Sequence, residues 1–185
     1  AADIEIVEVG ATITVDRELG RFLGSVPQTR LTSHFSASLS PGALASVHAA
    51  LAADLDVRDQ VGRVAVLLRF VQSALDYATD QEQFGREDYL YPDESLLYPQ
   101  CDCEDRAALF AVLVRELVGL EVVGLDYPGH IAAAVALPEP VPGDHFSWQG
   151  REFTVCDPTY IGAGPGRSMP IAGADSPGII AVSRH

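Results

Sequence analysis

The stretch YPQCDCEDRAALFAVLVREL, residues 98–117, places two cysteines one residue apart and then continues as an amphipathic segment. Asp102 is a suitable N-cap, so the pattern predicts a helix from about Cys103 to Val118 that ends near Gly119. The apolar positions of this helix cover a wide face, which is typical of a central and largely buried helix. The two cysteines fit a disulfide half-site, a metal site, or a nucleophile with a neighbour.

Cys103 would lie in the first turn of this helix. The helix dipole and the free backbone N–H groups there favour a thiolate, and the same groups can stabilise an oxyanion that forms next to the sulfur. Glu104 and Asp105 oppose the thiolate, so the net direction of the thiol pKa stays open. On position alone, a small and inert buried cysteine is the commoner outcome.

The rest of the chain predicts helices first and strands later, as in the α+β class with an antiparallel sheet. We expect one domain over residues 1–185, with N-terminal strands in 1–40, helices in 41–80 and the chemistry-bearing core in 98–161. A polar segment broken by Gly and Pro predicts a long surface loop over 79–100. The expected strands are two in 4–19 that join at Gly10, one in 30–40, and four later ones over 120–127, 130–137, 151–157 and 179–183. A connection without a strand is expected over 138–150. The expected helices are 40–55 and 57–77.

Two further residues, His130 and Asp157, follow Cys103 along the chain and carry an imidazole and a carboxylate. His130 begins an apolar strand, and Asp157 ends the next predicted strand just before Pro158. Each has an ordinary explanation, as a polar strand cap and as a turn-initiating Asp. If the two strands are antiparallel neighbours, however, these side chains meet, and the helix with Cys103 would complete a thiol–imidazole–carboxylate series.

The motifs CDCEDRAALFAVLVRELVGLEVVGLDY, PGHIAAAVAL and REFTVCDPTY resemble the core of the transglutaminase-like superfamily, as a bacterial-type member. The resemblance covers about Tyr98 to Ile161. It implies a papain-like α+β arrangement, in which a central helix carries the nucleophile and packs on an antiparallel sheet. It also implies that Cys103 is the nucleophile, His130 the base and Asp157 the residue that orients the base.

The sequence departs from the family pattern beside two of these residues. The family often has Ala-Trp after the histidine and a Trp before the aspartate, whereas this chain has Ile131-Ala132 and Val155-Cys156. These changes bear on the substrate class more than on the triad. The family places a side-chain oxyanion donor upstream of the nucleophile, and Gln100 and Tyr98 are the nearest candidates.

Three cysteines leave other chemistries open. A zinc site would use Cys101, Cys103, Cys156 and His130, but Cys-x-Cys is not the usual knuckle spacing, so we expect no metal. A bridge between Cys101 and Cys156 is a further alternative, against which strand alternation argues. Oxidation of Cys103 by Cys101 would make Cys101 a redox neighbour.

The composition and net charge of the chain limit the classes of molecule that it is expected to bind. With 185 residues, 48% of them hydrophobic, and a formal charge of −14, the chain is suited to neither nucleic acid nor an anionic membrane surface. Its glycines do not follow a phosphate-binding pattern, and we expect no cofactor. The acidic surface would steer a cationic peptide or protein substrate toward the site.

We expect hydrolysis of a peptide or isopeptide amide. Protein-glutamine amine transfer, and a binding module with a vestigial triad, remain the alternatives. The chain begins without Met or a basic-then-apolar leader, from which we expect an excised domain or processed chain. The compartment stays open, with the cytoplasm favoured and export retained for a processed fragment.

Overall fold

The computed structural model describes residues 2–6, 11–170 and 177–182, and helices dominate the first part of the chain. A two-stranded antiparallel ribbon comes first, and its predicted joint at Gly10 lies outside the described residues. The first elements are β1 Ala2–Ile6, β2 Ala11–Val15, α1 Arg17–Leu23, α2 Leu31–Ser36, α3 Pro41–Leu55, α4 Gln60–Ala74, β3 Asp76–Tyr77, α5 Asp80–Gln83 and α6 Pro92–Ser95.

The second part holds the long central helix and the main sheet. Its elements are β4 Gln100–Cys101, α7 Cys103–Val118, β5 Val122–Tyr127, β6 His130–Val135, β7 His145–Trp148, β8 Arg151–Cys156 and β9 Gly178–Ile180. The five later strands form one antiparallel sheet in the order β7-β8-β6-β5-β9. The α+β class and the packing of the cysteine-bearing helix on an antiparallel sheet are therefore confirmed.

The predicted central helix begins and ends as its caps dictate. The Asp102 side chain accepts a hydrogen bond from the Asp105 N–H, and Gly119 closes the helix at φ 76°, a conformation that favours glycine. Nearly every side chain from Ala107 to Val114 is fully buried. The helix packs against α4 on one side and on β5 and β6 on the other. Alanine at position 133 of β6 belongs to the same apolar cluster and lets helix and sheet approach closely.

Both faces of the sheet are buried. One face joins the core around α7, and the other carries a second apolar cluster that includes Leu125, Ala134 and Phe153. The near-continuous burial of β6 follows, because each of its alternating faces meets an apolar layer. The start of β6 and the end of β8 are thereby fixed next to each other.

Three predictions about secondary structure are wrong. The surface loop expected over 79–100 contains helices α5 and α6, and residues 92–96 within it are buried. Residues 31–36 form helix α2 and not a strand, because Phe35 must reach the space left by Gly124 in β5. A Cβ at Gly124 would lie 2.7 Å from the Phe35 ring. The connection expected over 138–150 contains strand β7, which pairs with β8 through a turn at Gln149–Gly150. Within the described residues, the protein has no helix that combines the length and the apolarity required to cross a bilayer.

Candidate active site

Cys103 lies where the sequence predicts, at the first position of α7. Its side chain is 7% exposed and belongs to the apolar core around this helix. The sulfur donates a hydrogen bond to Glu104 Oε2 at 2.9 Å. Helix α7 packs on β6, the strand that begins with His130. Packing of α7 on β6 therefore brings the thiol to the strand that carries the imidazole.

His130 and Asp157 form a buried pair at the edge of the sheet. His130 begins β6, and Asp157 follows the last residue of β8, where Cys156 is in register with Ala133. His130 Nε2 lies 2.9 Å from Asp157 Oδ2, and the two side chains are 8% and 0% exposed. An ionised carboxylate fixes the imidazole tautomer with its proton on Nε2, so Nδ1 is left as a proton acceptor.

Asp157 is held by backbone donors as well as by the imidazole. Its Oδ1 accepts hydrogen bonds from the N–H groups of Thr159 at 3.0 Å and Tyr160 at 3.2 Å. Its Oδ2 accepts a third from Met169 N–H at 3.2 Å. Pro158 turns the chain directly after the carboxylate, which places these N–H groups around it. The carboxylate therefore has a fixed position from which to orient His130.

The thiol is not bonded to the imidazole in this structure. Among the described residues, the Cys103 side chain makes its hydrogen bond to Glu104. Burial raises the pKa of the Cys103 thiol, and the negative charge of Glu104 raises it further. The helix start therefore does not by itself activate this cysteine, and proton transfer to His130 requires rotation of the thiol away from Glu104.

A cluster of three buried aspartates, which the sequence analysis missed, stands beside the nucleophile. Asp80, Asp102 and Asp105 each offer an oxygen within 4.8 Å of the others, and none is more than 6% exposed. Burial raises the pKa of Asp80 to about 6, that of Asp102 to about 8 and that of Asp105 well above its ordinary value. In the part of the chain that the structure describes, this is the group with metal-ligand spacing, and it contains no cysteine.

Gln72 of α4 is a second residue that sequence reasoning missed. Its Nε2 donates to the carbonyl oxygens of Asp157, Tyr160 and Ala163 at 3.1, 2.9 and 3.0 Å, and its Oε1 accepts from Gly162 N–H at 3.2 Å. The side chain is 5% exposed. One buried amide thus anchors the whole turn after Asp157. A glutamine within the apolar stripe of α4 was the available signal.

A cavity of about 820 Å³ opens beside the imidazole. Its wall comes from five stretches of the chain and includes Gln72, Leu75, Asp76, Tyr77, Arg106, His130 and Met169. Of the described residues, neither oxyanion candidate lines this cavity. Tyr98 contacts the Phe84 ring edge-on and lines a separate pocket, and Gln100 pairs with Asp76 in the short parallel ribbon of β3 and β4.

The other two cysteines are buried free thiols. Cys101 is 1% exposed and Cys156 is 0% exposed. Burial raises the pKa of Cys101 to about 12 and raises that of Cys156 as well. Since the thiolate is the species that oxidises, burial argues against rapid redox chemistry at Cys101. Its redox role stays a prediction.

The sequence matches no protein-family model and no curated protein. Among solved structures, the chain is similar to a Cytophaga hutchinsonii protein described as a "putative cysteine protease", with a TM-score of 0.43 and 11% identity. The likeness covers 91% of this chain and 57% of that protein's chain. At this TM-score and identity, the likeness assigns no function.

Proposed function

We propose that the protein is a cysteine-dependent acyl-transfer enzyme of transglutaminase-like type, with Cys103 as nucleophile, His130 as base and Asp157 as the orienting carboxylate. The observation that carries this proposal is the buried His130–Asp157 pair, in which His130 Nε2 lies 2.9 Å from Asp157 Oδ2, at the start of strand β6, on which the helix that begins at Cys103 packs. A purely structural histidine at a strand start does not require a fully buried carboxylate with three additional backbone donors.

Catalysis begins when the Cys103 side chain turns from Glu104 toward His130 Nδ1. The imidazole takes the thiol proton as the sulfur attacks a substrate amide carbonyl. The Cys103 backbone N–H lies in the first turn of α7, at its positive end, and serves in this proposal as a donor to the developing oxyanion. His130 then protonates the leaving amine, a thioester remains on Cys103, and the carboxylate of Asp157 stabilises the imidazolium throughout.

The second half of the reaction decides between hydrolysis and amine transfer. Water attacks the thioester in the first, and a primary amine attacks it in the second. We favour hydrolysis of a peptide or isopeptide amide. These 185 residues contain no lysine, so this segment cannot supply its own ε-amine acceptor. Its charge of −14 would attract cationic amines as well as basic peptides, which is compatible with either outcome.

One observation favours a non-catalytic binding module instead. The thiol is bonded to Glu104, and burial together with nearby carboxylates raises its pKa, as expected of an idle cysteine. In that alternative the cavity binds a peptide without cleaving it. The two functions differ in whether a substrate induces the thiol to leave Glu104.

A peptide and isopeptide library, followed by mass spectrometry, tests the proposal. New amine-terminated fragments should form with the wild type and with Cys101→Ala, and should be absent with Cys103→Ala. A labelled primary amine in the same reaction distinguishes hydrolysis from amine transfer. Efficient incorporation of the amine into the substrate would show that an amine, and not water, attacks the thioester. Fragments at equal rates with Cys103→Ala would exclude the assigned nucleophile.

A further inference from the structure

Arg106 has an unusual environment for a charged side chain. It lies one helical turn after Cys103, is 1% exposed, and lines the same cavity as His130. Its Nη2 donates to the Leu75 carbonyl oxygen at 2.5 Å, whereas Nε and Nη1 are buried and have no hydrogen-bond partner. An arginine keeps its charge inside a protein, so these two nitrogens are strong donors without an oxygen acceptor.

No carboxylate of the described residues neutralises this charge. Among those residues, Arg106 takes part in no ion pair, although Asp102 and Asp105 are close in sequence. The Cys101 sulfur lies nearby, but a thiol is a weak acceptor. Leaving a buried cation unpaired carries a large free-energy cost, which a bound anion would remove.

The ring that lies over the Arg106 guanidinium belongs to Tyr77, a half-exposed side chain that is free to rotate toward solvent. The Arg106 guanidinium lies 5.6 Å from the centroid of the Tyr77 ring, and Tyr77 is 50% exposed at the cavity wall. A cation–π contact at an exposed ring is weaker than a charge-assisted hydrogen bond to an anion. Rotation of the Tyr77 side chain toward solvent would therefore open Arg106 to a stronger partner.

We propose that Arg106 binds a carboxylate of the substrate, beside the amide that Cys103 attacks. The inference rests on the proposed function for the identity of the substrate as a peptide. The carboxylate belongs either to an acidic side chain near the scissile bond or to the peptide C-terminus, and both make the same contact with the guanidinium. The cavity of about 820 Å³ is large enough for one or two residues next to the cleaved bond.

This assignment refines the expectation of a cationic substrate. The acidic surface attracts positive charge at long range, whereas the buried guanidinium selects a negative group inside the cleft. Asp76 lines the outer part of the same cavity and is exposed, so it adds to the preference for cationic residues at the rim. The preferred substrate is then a neutral or basic peptide with one carboxylate at a defined position.

Binding to the Cys103→Ala protein tests the inference without turnover. Fluorescent peptides of one sequence carry Glu or Gln at a single position and end in either a free carboxylate or an amide. We expect at least one carboxylate peptide to bind about 10- to 100-fold more tightly than its neutral counterpart. The arm that shows the preference identifies the source of the carboxylate.

The preference should disappear in Arg106→Met and persist in Arg69→Met, which removes an exposed arginine from α4. Arg106→Lys keeps the charge in the same place, so it should retain a weaker preference and serves if Arg106→Met does not fold. Equal binding of all four peptides by Arg106-containing protein, or an undiminished preference in Arg106→Met, would overturn the inference.

The inference and the proposed function can fail separately. If the protein that retains Cys103 selects carboxylate peptides but does not cleave them, only the proposed function is rejected. If it cleaves peptides without selecting a carboxylate, only this inference is rejected.

Discussion

Glu104→Gln should make the Cys103 thiol more reactive. The carboxylate accepts the thiol hydrogen bond at 2.9 Å, and its negative charge is one cause of the raised thiol pKa. Glutamine keeps the size and the helix position and removes the charge. The expected result is a lower thiol pKa and faster alkylation near neutral pH, since only the thiolate reacts.

The magnitude follows from Coulomb's law. With the charge spread over both carboxylate oxygens, the sulfur-to-charge distance is about 4 Å and the interaction about 4 kcal/mol at an effective dielectric constant of 20. That energy corresponds to about 3 pKa units, and screening of the partly exposed Glu104 reduces it to about 1 to 2 units. Each unit raises the thiolate fraction tenfold but weakens the nucleophile, so the alkylation rate should rise about 3- to 12-fold in total.

The assay is the pH dependence of iodoacetamide labelling at Cys103, followed by peptide mass spectrometry. Glu116→Gln is the matched control, because Glu116 lies on the same helix with the same charge, about 20 Å away. Its labelling rate should equal that of the wild type. If Glu104→Gln leaves both the rate and the thiol pKa unchanged, or slows the reaction, the account of the thiol environment is incorrect.

Three further changes test the surroundings of the site. Asp157→Asn should lower kcat on the order of 10²- to 10⁴-fold, measured with any peptide found to be cleaved, because an amide N–H reverses the His130 tautomer. Gln72→Ala should lower the free energy of unfolding by about 2–4 kcal/mol in urea, since it leaves buried backbone groups unpaired, whereas exposed Gln81→Ala should change it little. Burial raises the pKa of Asp80 to about 6, so the folded state binds more protons than the unfolded chain and stability should fall as pH rises from about 4 to 6. Asp80→Asn should reduce that fall in urea midpoints, and an unchanged pH profile would contradict the raised pKa.

The parts of the fold that were predicted are those with local signals. Asp102 and Gly119 mark the two ends of α7, and the structure begins and ends the helix beside them. Strands β5, β6 and β8 are short apolar runs bounded by Gly or Pro, and each was expected. Strand β7 lacked such a signal: its hairpin turns at Gln149 and Gly150, with φ of 48° and 75°, and glutamine is not one of the residues that usually precede glycine in such a turn.

Helix α2 could not be predicted in the same way. Its six residues are too few to show a helical period, and its burial depends on Phe35 filling the space at Gly124, 89 residues later in the chain. Tertiary packing therefore decides its conformation.

The contrast between local sequence signals and tertiary packing also applies to the candidate site. The order of Cys103, His130 and Asp157 is readable because each stands at the end of a predicted element. Gln72 and Arg106 were missed because their roles arise from burial among backbone groups that are distant in sequence. The raised thiol pKa likewise follows from burial and from neighbouring charges, which the sequence leaves undetermined.

The rate at which a peptide-based alkylating reagent labels Cys103 in His130→Ala, compared with the wild type across pH 5–9, tests the central claim most directly, because the account expects the bound peptide to draw the thiol from Glu104 toward His130. If His130 is the base for this thiol, its removal should slow this alkylation of Cys103 on the order of 10²-fold near pH 7. Buried Cys101 and Cys156 should label slowly in both proteins. Equal rates and profiles for Cys103 in the two proteins would contradict the claim that Cys103 and His130 act together.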